Sequence, residues 1–93
     1  MIRSFKDRKA RQIFDGQTAR GLAVEVQQRS RRKLRMLDAA TSLEDLAVPP
    51  ANRLEKLRGN RAGQYSIRIN RQWRICFVWK EPDAYDVEIV DCH

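Results

Sequence analysis

Hydrophobic positions along this chain change period midway, from about 3.6 residues before Pro49-Pro50 to 2 after it. Ile2 and Phe5 make a short apolar opening, and Ser4 followed by Asp7 reads as a capping box that starts a helix ending near Gly16, with Ala10, Ile13 and Phe14 facing inward. A loop through Gly16 and Gly21 leads into the longest helical pattern, residues 23–40, where Val26, Ser30, Leu34 and Leu37 share one face. Thr41 and Glu44 repeat the capping pattern ahead of a helical turn ending near Leu46, and the two prolines close this half.

Beyond them, Tyr65, Ile67 and Ile69 alternate with Ser66, Arg68 and Asn70. Trp73, Ile75, Phe77 and Trp79 then alternate with Arg74, Cys76 and Val78. Asn70-Arg71-Gln72 is the tight connection of a hairpin, Pro82-Asp83 marks the next turn, and Val87, Ile89 and Asp91 alternate with Glu88 and Val90 in a last strand. Helices followed by a meander predict an α+β fold, with N-terminal helices packed on one face of a small, mainly antiparallel sheet. At 93 residues the chain is expected to form one domain, 1–93, whose site lies on a surface or in a shallow groove.

Charge sharpens this picture. The formal net charge is +7, and between Arg53 and Arg74 seven basic residues face only Glu55, the footprint of a polyanion-binding surface. The long helix carries Arg29, Arg31, Arg32, Lys33 and Arg35, which read either as a solvated face or as a contact surface for RNA or an acidic partner. Acidic residues collect instead in the terminal strand, at Glu81, Asp83, Asp86, Glu88 and Asp91. No apolar run approaches the ~18 residues of a membrane span, and the N-terminus lacks a signal-peptide core, so a cytoplasmic location with no membrane partner is expected. Cys76 and Cys92 are then expected to be reduced thiols, and two cysteines with one histidine do not supply a zinc site.

Most residues here have a structural reading that suffices. Trp73, Phe77 and Trp79 sit at strand spacing as core or edge aromatics, and the glycines of GNRAG, Gly59 and Gly63, frame either a turn or a phosphate cradle. His93 and Asp91, two residues apart, would share a face if the strand persists, placing an imidazole and a carboxylate near one ligand. RNA suits such a surface, because its own 2′-hydroxyl can attack the adjacent phosphate once a base takes the proton and cations stabilise the phosphorane. Arg58, Arg68 and Arg74 would supply that charge, while Asp91, Glu55 and His93 would share proton transfer.

Joined together, MIRSF, RKLRMLDAAT, the block from Pro49-Pro50 through NRLE, RAGQYSIRIN and QWRICF, and the ending VEIVDCH resemble the HigB-type killer proteins of the RelE/ParE toxin superfamily. The resemblance covers almost the whole chain and implies a RelE-like fold. It also implies a metal-independent mRNA endonuclease acting on the ribosome, blocking translation and growth, with no cofactor. The implied partners are a helix-turn-helix, HigA-like antitoxin, the ribosome and mRNA, with operator DNA met only through the antitoxin complex. Arg74 matches the family's sheet arginine, and Asp91 and His93 match the outer residues of its terminal Asp-Tyr-His. Cys92 replaces the tyrosine, Glu55 stands where some members carry histidine, and Arg58 replaces a lysine. Taken with the charge pattern, these matches give Arg74, Asp91, His93 and Glu55 as the expected catalytic residues and Arg58, Arg61, Arg68 and Cys92 as the expected RNA contacts. The Arg29 to Arg35 face would meet the antitoxin. A different reading on the same fold is a non-enzymatic, ParE-like inhibitor of a protein target such as DNA gyrase.

Overall fold

The computed structural model describes residues 1–91. Three helices, α1 (Arg8–Phe14), α2 (Val24–Ala39) and α3 (Leu43–Ala47), precede four strands, β1 (Glu55–Lys56), β2 (Gln64–Arg68), β3 (Trp73–Lys80) and β4 (Asp83–Asp91). The strands form one antiparallel sheet in the order β1-β2-β3-β4, as a meander with short turns requires.

Alternation decides which face is buried. Ile67, Ile75, Phe77, Val87 and Ile89 point to one side and meet Ala10 and Ile13 of α1 and Leu34 and Leu37 of α2, forming a core closed by Leu46 of α3. Tyr65 stacks on Phe77 at 6.2 Å and Trp79 meets it edge-on at 6.4 Å, so that two half-buried aromatics cover the one in the core. Trp73 is half-buried under the Lys9 ammonium, 5.4 Å from its ring.

Two expected caps are displaced by one tertiary contact and one local one. Ser4 does not start a helix: its hydroxyl accepts the Asp86 amide at 2.9 Å, where a bulge in the β3/β4 pairing puts Asp86 at a φ of 53°. The opening residues instead run parallel to β4, bridging Ile2 to Ala84 and Phe5 to Val87. Asp7 takes over as N-cap, accepting from the Ala10 amide with one oxygen and the Ile89 amide with the other. At α3 the reciprocal box is Ser42 with Asp45 rather than Thr41 with Glu44. Thr41 donates its amide to Asp45 at 2.9 Å, which is the largest of the contacts that hold the Asp45 carboxyl below its ordinary range.

Polar side chains brace the helical layer from inside. Buried Gln27 accepts the Ala19 amide and donates to the Ala19 and Leu22 carbonyls, closing the α1–α2 loop. Fully buried Asn52 donates to the Leu46 carbonyl and accepts from the Lys33 ammonium, tying α2 to the segment that enters the sheet.

Candidate functional site

Arg74 is the best-anchored cation on the sheet face turned away from the helices. Its Nε donates to the Ser66 hydroxyl at 2.8 Å and its Nη2 to the Arg53 carbonyl at 2.7 Å. Ser66, paired with Cys76 on the neighbouring strand, has no exposed surface, so the hydroxyl that orients the guanidinium is itself immobilised. Only 11% of the Arg74 side chain is exposed, while 58% of Glu55 is, and their nearest charged atoms lie 3.7 Å apart. Such a fork presents its remaining N–H groups in a fixed direction.

Around this pair lies a cleft of about 270 Å³ lined by Arg53, Glu55, Arg68, Asn70, Arg71 and Arg74. The chain builds it from three places. Arg53 takes a left-handed φ of 43° after a single 3₁₀ turn, Pro50–Asn52, and this turns its carbonyl to Arg74. Asn70 accepts the Gln72 and Trp73 amides through its side chain, an Asx turn that fixes the β2–β3 hairpin. Arg68, at the end of β2, donates to the Asn70 carbonyl at 3.1 Å and so lies along the turn. Four arginines against one carboxylate make the cleft strongly attractive to an anion.

The residues expected to share a site are only partly gathered. Arg74, Glu55 and Arg68 converge on the cleft. Asp91 does not join them: it pairs with Trp73 across the β3/β4 ladder while Arg74 pairs with Val90, so the two project to opposite faces, and Asp91 accepts from Gln72 at 3.1 Å. Arg61 bonds Glu88 at 3.0 Å, with Lys6 on the same carboxylate at 3.5 Å. Arg58 is exposed at the head of the Gly59–Arg61 3₁₀ turn and does not line the cleft. Within that GNRAG turn the Arg61 and Ala62 amides bond back to Arg58 and Gly59, which favours the turn reading over a phosphate cradle. Cys92 and His93 lie outside the described residues. Ser66, Arg53 and Arg71 are additions; the seven-cation stretch signalled the two arginines, but nothing in the sequence marked the serine.

Fold and cleft together define a small basic α+β protein with a fixed guanidinium and a carboxylate in an arginine-lined cleft. The model of the HigB-like toxins, RelE-like toxins of type II toxin–antitoxin systems, matches residues 3–93, and the chain belongs to this family. Toxin HigB-1 of Vibrio cholerae serotype O1 is 41% identical over 80 residues, 85% of this chain and 84% of that one. Endoribonuclease HigB of Proteus vulgaris is 31% identical over 93 residues, the full length of both. Among solved structures, a toxin in the heterotetrameric YoeB-YefM complex of Staphylococcus aureus matches with a TM-score of 0.62, covering 100% of this chain and 98% of that one. At 17% identity that likeness concerns the fold alone. As a type II toxin, this protein has an antitoxin as its partner. No helix of the described residues is long and apolar enough to cross a membrane.

Proposed function

We propose that this toxin is an endoribonuclease that cleaves mRNA on the ribosome by attack of the RNA's own 2′-hydroxyl. The observation that carries the reading is the clamped Arg74 guanidinium facing Glu55 in a cleft whose other charged residues are all arginines. The full-length relative from Proteus vulgaris, named an endoribonuclease, supports it.

A scissile phosphate sits against Arg74, with Arg53, Arg68 and Arg71 around it. Glu55 takes the 2′-hydroxyl proton as the oxygen bonds to phosphorus. Arg74 stabilises the charge gathering on the phosphorane oxygens, the role in which a fixed donor contributes most. The bond from phosphorus to the 5′-oxygen then breaks, and that oxygen takes a proton from His93, leaving a 2′,3′-cyclic phosphate and a 5′-hydroxyl. Asp91, on the opposite face at the strand end, holds Gln72 of the β2–β3 hairpin rather than the nucleotide, and Arg58 meets backbone phosphate outside the cleft. The shallow cleft leaves the ribosome to position the strand, and a helix-turn-helix antitoxin of the HigA kind blocks that encounter and carries the pair to operator DNA.

Inducible expression with mapping of transcript 5′ ends tests this. Codon-phased cuts are expected with the wild type, and none with Arg74→Ala or with a variant lacking His93. Growth arrest with intact transcripts and induction of DNA damage would replace this reading with the gyrase-inhibitor one.

A further inference from the structure

Next to the Arg74 cleft runs a larger groove of about 810 Å³, within the range of roughly 300–1,000 Å³ that takes nucleotide-sized ligands. One wall is α2, through Arg29, Arg32 and Lys33; the other is the β2–β3 hairpin, through Arg68 and Arg71, with Arg53 between them. Its apolar lining residues are Met36, Ala51 and Ile69, the last almost wholly buried in the core. The groove is continuous with the cleft, because Arg53, Arg68, Asn70 and Arg71 line both.

None of its six cations is ion-paired with a carboxylate among the described residues. Burial, with Arg29 and Arg32 alongside, holds the Lys33 ammonium below its ordinary pKa, so an incoming anion is rewarded by relief of that strain. Lys33 is also tethered to Asn52, which keeps it at the wall.

We propose that this groove is a second nucleotide subsite. It takes the single-stranded RNA to one side of the scissile bond, with backbone phosphates on Arg29, Arg32 and Lys33 and a base against Met36 and Ala51. The inference rests on the nuclease reading and extends it: a strand whose phosphate occupies the Arg74 cleft continues into the adjoining cationic channel. Cations beside apolar lining residues match alternating phosphate and base, and without an uncharged polar lining group beyond Asn70 the subsite tolerates any base. Of the basic residues of the long helix, readable from sequence as either solvated or a contact surface, Arg29, Arg32 and Lys33 thus belong to the substrate track, while Arg31 donates to the Ile13 and Gln17 carbonyls.

The test measures binding of labelled single-stranded 2′-O-methyl RNA, which lacks the attacking hydroxyl, to the full chain at several salt concentrations. Strands of about three and about eight nucleotides are compared, since single-strand sites span roughly 4–16 nucleotides. The longer strand should bind more tightly, with a steeper salt dependence. Arg29→Gln with Arg32→Gln should lower that slope by about 1.4, at about 0.7 per phosphate contact, and weaken binding at about 0.1 M salt roughly 25-fold. Arg8→Gln with Arg11→Gln, which removes equal charge from exposed positions on α1, should change binding less than about twofold if the effect is local. Equal loss in both double variants would overturn the subsite, as would an unchanged slope in the first. Displacement of the RNA by oligoglutamate at far lower concentrations than by competing RNA would assign the groove to an acidic protein segment. Because the probe cannot be cut, the two readings fail separately: groove binding without transcript cleavage removes the nuclease, and cleavage without groove dependence removes the subsite.

Discussion

Arg74→Lys separates the shape of the cleft's central cation from its charge. Lysine places a methylene where Arg74 holds Nε, so the Ser66 hydroxyl, with no exposed surface, loses the donor now 2.8 Å away. One ammonium cannot also reproduce the fork that meets the Arg53 carbonyl at 2.7 Å and faces Glu55 at 3.7 Å. Loss of a partner for one buried polar group costs about 1–3 kcal/mol of stability. Loss of a fixed donor to transition-state charge costs about 10²-fold or more in rate, equivalent to about 2.7 kcal/mol. Because net charge is kept, ground-state attraction for RNA should change less than about threefold. Cleavage of a short mRNA on programmed ribosomes, followed by primer extension, gives the rate, and binding of the uncleavable strand gives the affinity. A folded Arg74→Lys variant that cuts within about threefold of wild type would refute the argument that guanidinium geometry, rather than charge, drives the reaction.

Arg61→Gln should leave cleavage within about twofold of wild type, since Arg61 is engaged with Glu88 away from the cleft; a tenfold loss in the same ribosome assay would return it to the RNA path. Gln27→Ala removes a side chain making three hydrogen bonds to the α1–α2 loop and should cost about 2–3 kcal/mol, lowering the melting temperature by roughly 8–24 °C; a shift under about 3 °C would mean the loop is held by other contacts. Asp45 has a folded pKa below its unfolded one, so its contribution is fully present above about pH 4 and is lost as pH falls through the folded value. The melting difference between wild type and Asp45→Ala should therefore shrink as pH falls below about 4, and a pH-independent difference would contradict the capping account.

Periodicity carried much of the fold, because a helix stripe or a strand alternation is a local record of which side chains must leave water. Leu34 and Leu37 on α2, and Ile75 and Phe77 on β3, were legible as core for that reason, and so was the Asn70-Arg71-Gln72 hairpin. Asp91 and Arg74 were expected at one site, and only the ladder pairing of Trp73 with Asp91 and of Arg74 with Val90 places them on opposite faces of the sheet. The sequence alone also determined the stretch of seven cations, the pairing of helices with a meander, and the motifs that mark the family.

Tertiary structure decided what depends on partners distant in the chain. Ser4 followed by Asp7 satisfies a capping rule, yet β4 lies beside Ser4 and offers the Asp86 amide, so the cap moves to Asp7. Glu55 reaches Arg74 only because β1 pairs with β2 and β2 with β3, which brings together residues 19 positions apart. Ser66 became part of the site, and Arg61 was drawn out of it to Glu88, through contacts spanning 8 and 27 residues. Local pattern reports how much of each side chain is buried, whereas a site is a set of distances, and those exist only once the sheet register has been chosen.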